Sequence, residues 1–162
     1  MIQERNIVRT KTGEIARNRY GSCGVLAICS IKGMKYEDGT AWAIKNGMAA
    51  RVKNGEVNGM LLDSENYQKL KKIGAKKTTV HVPAKQKGMH SAEEIAEYKK
   101  AQGIEELAYD LCKVSTFARK NPRGRFMLVT RDHAIALVNG AIINNGSRQD
   151  YQNQLVKVSI QF

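Results

Sequence analysis

Cys23 follows a Gly21-Ser22 turn and opens an apolar run, Val25 to Cys29, that reads as a buried helix. A thiol at a helix N-terminus has its thiolate stabilised by unpaired backbone N–H groups and by the helix dipole. That is the requirement for a nucleophile. Beside an imidazole it could form a thioester, the imidazole serving first as base and then as acid for the leaving group. His133 is the candidate imidazole. An asparagine amide on the second ring nitrogen would fix its tautomer. The backbone N–H of Cys23, with a side-chain amide from the preceding segment, could hold an oxyanion. Asn18, five positions before Cys23, is the candidate for that amide.

The elements that must position these groups can be read on either side of them. Ser22 is placed to cap a helix that Gly33 ends. Further helices are expected over 36–50, with Trp42 facing the core, and over 62–73, closed by Gly74. The alternation of Thr78–Val82 reads as a strand. Ser91-Ala-Glu-Glu94 is a capping box opening a helix through about Lys100, with Gly103 as its break. Ile104, Leu107, Ala108, Leu111, Val114 and Phe117 are spaced for a helix over 104–119. The last forty or so residues change character, with strands expected over 125–130, 134–138, 141–143 and 155–162.

Asn139-Gly140 between two apolar runs is a strong hairpin signal. A two-residue turn there pairs Val138 with Ala141 and Leu137 with Ile142. It puts His133, Ile135, Leu137, Ile142 and Asn144 on one face. Ala134, Ala136, Val138, Ala141, Ile143 and Asn145 fall on the other. His133 and Asn144 become diagonal neighbours, close enough for their side chains to meet. A bulge would exchange Asn144 for Asn145. Helices first and antiparallel strands last make an α+β chain.

Composition narrows the function classes. At 162 residues and 42% hydrophobic content the chain suits one domain, 1–162, with its own core. No apolar run is long enough to cross a membrane. The start of the chain has no apolar stretch of the signal-peptide kind. Three cysteines at irregular spacing, Cys23, Cys29 and Cys112, fit free thiols in a reducing cytoplasm better than a disulfide framework. Cys29 reads as a core residue, and Cys112, mid-helix between Leu111 and Lys113, as a structural one. His81, His90 and His133 fit no metal spacing, so neither a metal nor a cofactor is expected. The net charge of +12 favours anionic partners. Lys69, Lys71, Lys72, Lys76, Lys77, Lys85 and Lys87 fall in a stretch, 66–92, without Asp or Glu. Nucleic acid is one such partner, but it is not the favoured one: the chain has no run of interleaved aromatic and basic residues.

Gly21-Ser22-Cys23-Gly24, within NRYGSCGVLAIC, resembles the nucleophile region of papain-like cysteine peptidases. The order of further pieces is similar to a group of small phage and bacterial proteins of papain-like fold: Tyr36-Glu37-Asp38, Gly55-Glu56-Val57, Tyr67 to Gly74, and the segment from Gly124 through His133 and Gly140 to Asn144. The resemblance implies a papain-like α+β fold, with the nucleophile helix followed by a C-terminal antiparallel sheet. It implies Cys23 as nucleophile, His133 as base and Asn144 as orienting residue. The group often has Asp at the third position. Arg17 stands where papain has its oxyanion glutamine, one place from Asn18, and 83–103 looks like an inserted segment. The implied activity is hydrolysis of a peptide or amide bond in a protein or peptide substrate, one with acidic character given the charge. Its expected setting is a host bacterial cytoplasm or a virion. The alternative on the same scaffold is a protein with a vestigial pair that binds and modulates a host protein.

Overall fold

The computed structural model describes residues 6–17, 22–53, 56–60, 62–131, 133–143 and 151–162. The helices are α1 (Cys23–Lys32), α2 (Tyr36–Lys45), α3 (Ser64–Lys71), α4 (Ala92–Gln102) and α5 (Val114–Lys120). The strands are β1 (Ala49–Lys53), β2 (Glu56–Met60), β3 (Lys77–His81), β4 (Glu106–Ala108), β5 (Arg125–Val129), β6 (Ala134–Val138), β7 (Ala141–Ile143) and β8 (Val158–Gln161). β1 and β2 form an antiparallel hairpin; the other six form one sheet in the order β4-β3-β8-β5-β6-β7. This is a mixed α+β architecture.

The sheet is antiparallel except where β3 runs parallel to β4. It is therefore not built from the C-terminal strands alone. β3 and β4 join it from the middle of the chain, and α4 lies in the crossover between them. The expected helix over 104–119 is replaced by β4, an irregular stretch and the shorter α5. Its apolar spacing was satisfied by two unrelated pieces, one half lying on the sheet and the other half in α5. The helix expected over 36–50 stops at Lys45, and the chain turns into β1.

The β6–β7 hairpin has the expected register, with Val138 opposite Ala141, Leu137 opposite Ile142 and Ala136 opposite Ile143. Asn139 and Gly140 have φ of 49° and 78°, the left-handed pair that a two-residue turn of this twist requires. The two faces also sort as expected. Ala134, Ala136, Val138 and Ile143 pack with Ala27, Ile28 and Ile31 of α1. Ile135 and Leu137 pack with Phe117 of α5, Tyr151 and Val156.

α1 is covered on both sides. The sheet lies beneath it, and Val8, Tyr36, Ala43 and Val57 pack over Val25, Leu26 and Cys29. Small residues let it sit close. A methyl group at Gly39 of α2 would lie 2.1 Å from the Cys29 sulfur. Ala134 and Ala136 are among the sheet residues that pack with the helix. Gly33 ends α1 in the left-handed conformation at φ 68°, and the Arg125 guanidinium donates to the Ile31 carbonyl in the last turn.

Candidate active site

Cys23 is the first residue of α1 and is half-buried. Ser22 occupies the N-cap position, but its side chain makes no capping bond to the helix. It is buried instead. Asn18 and the Gly21 turn lie outside the described residues, as do Asn144 and Asn145. The orienting and oxyanion roles expected of Asn144 and Asn18 are thus not located.

His133 does not sit in a strand, as expected, but one residue before β6. It ends the connection from β5, where its carbonyl accepts from the Thr130 backbone N–H at 2.9 Å and from the Thr130 hydroxyl at 3.2 Å. Strand alternation therefore does not fix its direction. Its ring lies flat on Tyr151, with centroids 3.7 Å apart and planes 13° from parallel. Tyr151 is itself buried in the core on the α5 side of the sheet, so the imidazole rests on a fixed surface.

Cys23 and His133 line one cleft of about 320 Å³. Gly24, Met60 and Leu62 form one side, and Val129, Thr130, Arg131 and Ala134 the other. The end of the β1–β2 hairpin therefore borders the same cleft as the thiol. A methyl group at Gly24 would meet the Met60 Cβ at 3.0 Å and its sulfur at 3.1 Å. Glycine next to the thiol is what lets the hairpin close against the helix. The cleft is apolar on the Met60–Leu62 side and carries an exposed cation, Arg131, on the other.

Cys29 is a core residue, as expected, and Cys112 is half-buried against the cluster around α5. Burial pushes the Cys29 thiol up to about 12, and its Sγ contacts the Lys35 carbonyl at 3.6 Å. Cys112 is not in a helix but precedes α5. It is raised too, chiefly by burial.

One polar cluster was not anticipated. Buried His81 at the end of β3 holds Asp110 Oδ1 at 2.6 Å through Nδ1 and Ser159 Oγ at 2.7 Å through Nε2. An ionised Asp110 can only accept, so Nδ1 carries a proton; in the neutral ring Nε2 then accepts from the Ser159 hydroxyl. The arrangement matches a serine triad in connectivity. However, Ser159 is 5% exposed in β8, between β3 and β5, and a carbonyl substrate has no room to reach it. The cluster ties β3, β8 and the segment after β4 together.

Of the lysine-rich stretch, Lys69 pairs with Glu65, Lys71 with Glu105 and Lys77 with Glu106. Its charge is partly neutralised by residues that the sequence places elsewhere. Among the described residues no group of His, Cys, Asp and Glu is arranged to hold a metal ion, and no helix is long and apolar enough to cross a membrane. Comparison with protein-family models, curated proteins and solved structures returns no match to this chain.

Proposed function

We infer that the chain is a cysteine hydrolase of papain-like character acting on peptide or amide bonds. One observation carries this reading: a cysteine at a helix start and a histidine from a distant connection line the same cleft. In the proposed reaction the Cys23 thiolate attacks the carbonyl carbon, forming a C–S bond and an oxyanion. The oxyanion collapses and the C–N bond breaks as the His133 imidazolium gives its proton to the departing amine. Water then loses a proton to His133 and attacks the thioester. The C–S bond breaks, releasing the carboxylic acid and restoring the thiol–imidazole pair. Arg131 at the cleft and the overall charge of +12 favour a substrate with acidic character.

The test is the rate of Cys23 alkylation by iodoacetamide between about pH 4 and pH 10, in the native protein and in His133→Ala. Alkylation of the native protein is expected to be fast at neutral pH, and the rate should fall about tenfold or more in the variant. An ordinary thiol titration in both proteins overturns the reading. Cys29 does not confuse the signal, because burial keeps its thiol protonated at neutral pH.

A further inference from the structure

The crossover between β3 and β4 builds a second cleft, of about 330 Å³. Val82, Ile95 and Leu107 give it an apolar interior with the Tyr98 ring, and Gln86, His90 and Glu94 supply polar groups. Core packing does not account for this segment. None of the eleven residues of α4 is buried, so the helix adds nothing to the hydrophobic interior. What it does form is one wall of this cleft.

The sheet register links the second cleft to the first. Leu107 pairs with Val80, Val80 with Val158, Val158 with Val129, and Val129 with Ala134. These five residues form one row across β4, β3, β8, β5 and β6. One end, Leu107, lines the crossover cleft; the other, Val129 and Ala134, lines the Cys23 cleft. Paired residues in a row share a face, and Val80, Val158, Val129 and Ala134 all pack on the α1 side. Val80, Val158 and Val129 are only partly buried, so the row between the clefts is apolar and partly open.

We propose that the two clefts bind one extended polypeptide, whose apolar side chain fills the crossover cleft while its reacting carbonyl lies at Cys23. This rests on the reading of Cys23 and His133 as the reacting pair, and it narrows the substrate from amides in general to polypeptides. Three strand spacings of about 4.8 Å separate β4 from β5, or about 14 Å in all. An extended chain covers that in about four residues. A small amide would fill only the first cleft. The polar rim at Gln86, His90 and Glu94 suits a peptide backbone, which presents a donor and an acceptor at every residue, better than an alkyl chain.

The test uses N-chloroacetyl hexapeptides of Gly and Ser with a single Leu moved through each position, at about pH 9, where an ordinary thiol also reacts. The readout is the rate of Cys23 labelling, followed on the Cys23 peptide by mass. Labelling should be fastest, by about tenfold, with Leu near the fourth residue. Ile95→Asp, on the exposed helix, and Leu107→Ser should each abolish that optimum and leave iodoacetamide labelling unchanged. A rate independent of Leu position, or an optimum that survives both substitutions, overturns the proposal. So does a chloroacetyl alkylamine that outpaces every peptide and is slowed by Ile95→Asp, since the groove would then hold an alkyl chain. An optimum that persists while His133→Ala leaves the iodoacetamide profile untouched upholds the groove and removes the catalytic reading instead.

Discussion

His81 is held at both ring nitrogens, and the two partners differ in what they lose if it is removed. Asp110 is exposed and would be rehydrated; Ser159 is buried and would not. His81→Leu should therefore cost about 1–3 kcal/mol, most of it from the stranded Ser159 hydroxyl. His81→Leu combined with Ser159→Ala should recover a good part of that loss in urea unfolding. Equal instability of the single and double variants would show that the hydrogen bond is not the source. Single residues were legible where local chemistry marks them. Cys23 stands out because a Gly-Ser turn precedes it and an apolar helix follows. Tyr151, which carries the His133 ring, gave no such signal. Their stacking depends on how the chain returns after β7, and no spacing rule connects positions 133 and 151. Nor did His81 stand out, because its partners lie 29 and 78 positions away.

Among the elements, α4 is unusual in depending on its ends. Ser91 accepts from the Glu94 N–H and Glu94 accepts from the Ser91 N–H, each at 3.1 Å, and Gly103 closes the helix at φ 65°. Short helices without tertiary support are marginal in water. Ser91→Ala should cost the helix about 1 kcal/mol. With no buried residue at stake, the loss should be local: amide exchange across 92–102 should quicken roughly fivefold, with little change in the global melting temperature. A matching drop in melting temperature would mean that α4 unfolds only with the rest. The capping box made this helix legible, as Asn139-Gly140 made the hairpin legible, because both are encoded in adjacent residues. The β1–β2 hairpin was missed although the sequence carries a second Asn-Gly, Asn54-Gly55, between its strands. Helix-forming Ala49-Ala50 continue the helical pattern past Lys45 and so mask the start of β1. β4 was illegible for a different reason. Its three residues are a strand because β3 lies alongside, a fact of tertiary pairing that overrides the helical spacing of Ile104, Leu107 and Ala108.

At the scale of the molecule, charge and topology set the behaviour. Glu105 joins distant parts, taking a hydrogen bond from the Thr78 N–H at 2.6 Å and an ion pair from Lys71 of α3. Burial alone would raise its carboxyl. The Lys71 hydrogen bond and charge, with the Thr78 N–H, outweigh burial and hold it below the ordinary 4.5. A group whose folded value is depressed stabilises the protein above its unfolded value, and that stabilisation is lost as pH falls through the folded one. Urea midpoints should therefore decline below about pH 4.5, and Glu105→Gln should flatten that part of the slope. An unchanged slope would assign the acid sensitivity to other carboxylates. The α+β class and the two-faced β6–β7 hairpin could be anticipated from periodicity, whereas the strand order could not, because it depends on where β8 inserts. That insertion bears on how the protein is made. β8 is the last of the described strands in sequence, yet it stands between β3 and β5. While the ribosome is still short of Val158, β3 with β4 and β5 with β6 are separate fragments, each with an unpaired inner edge. Folding before β8 is made cannot join them, so the nascent chain carries two sticky edges until that strand emerges. This is a window in which a chaperone would be needed and in which neighbouring polysomal copies could pair wrongly.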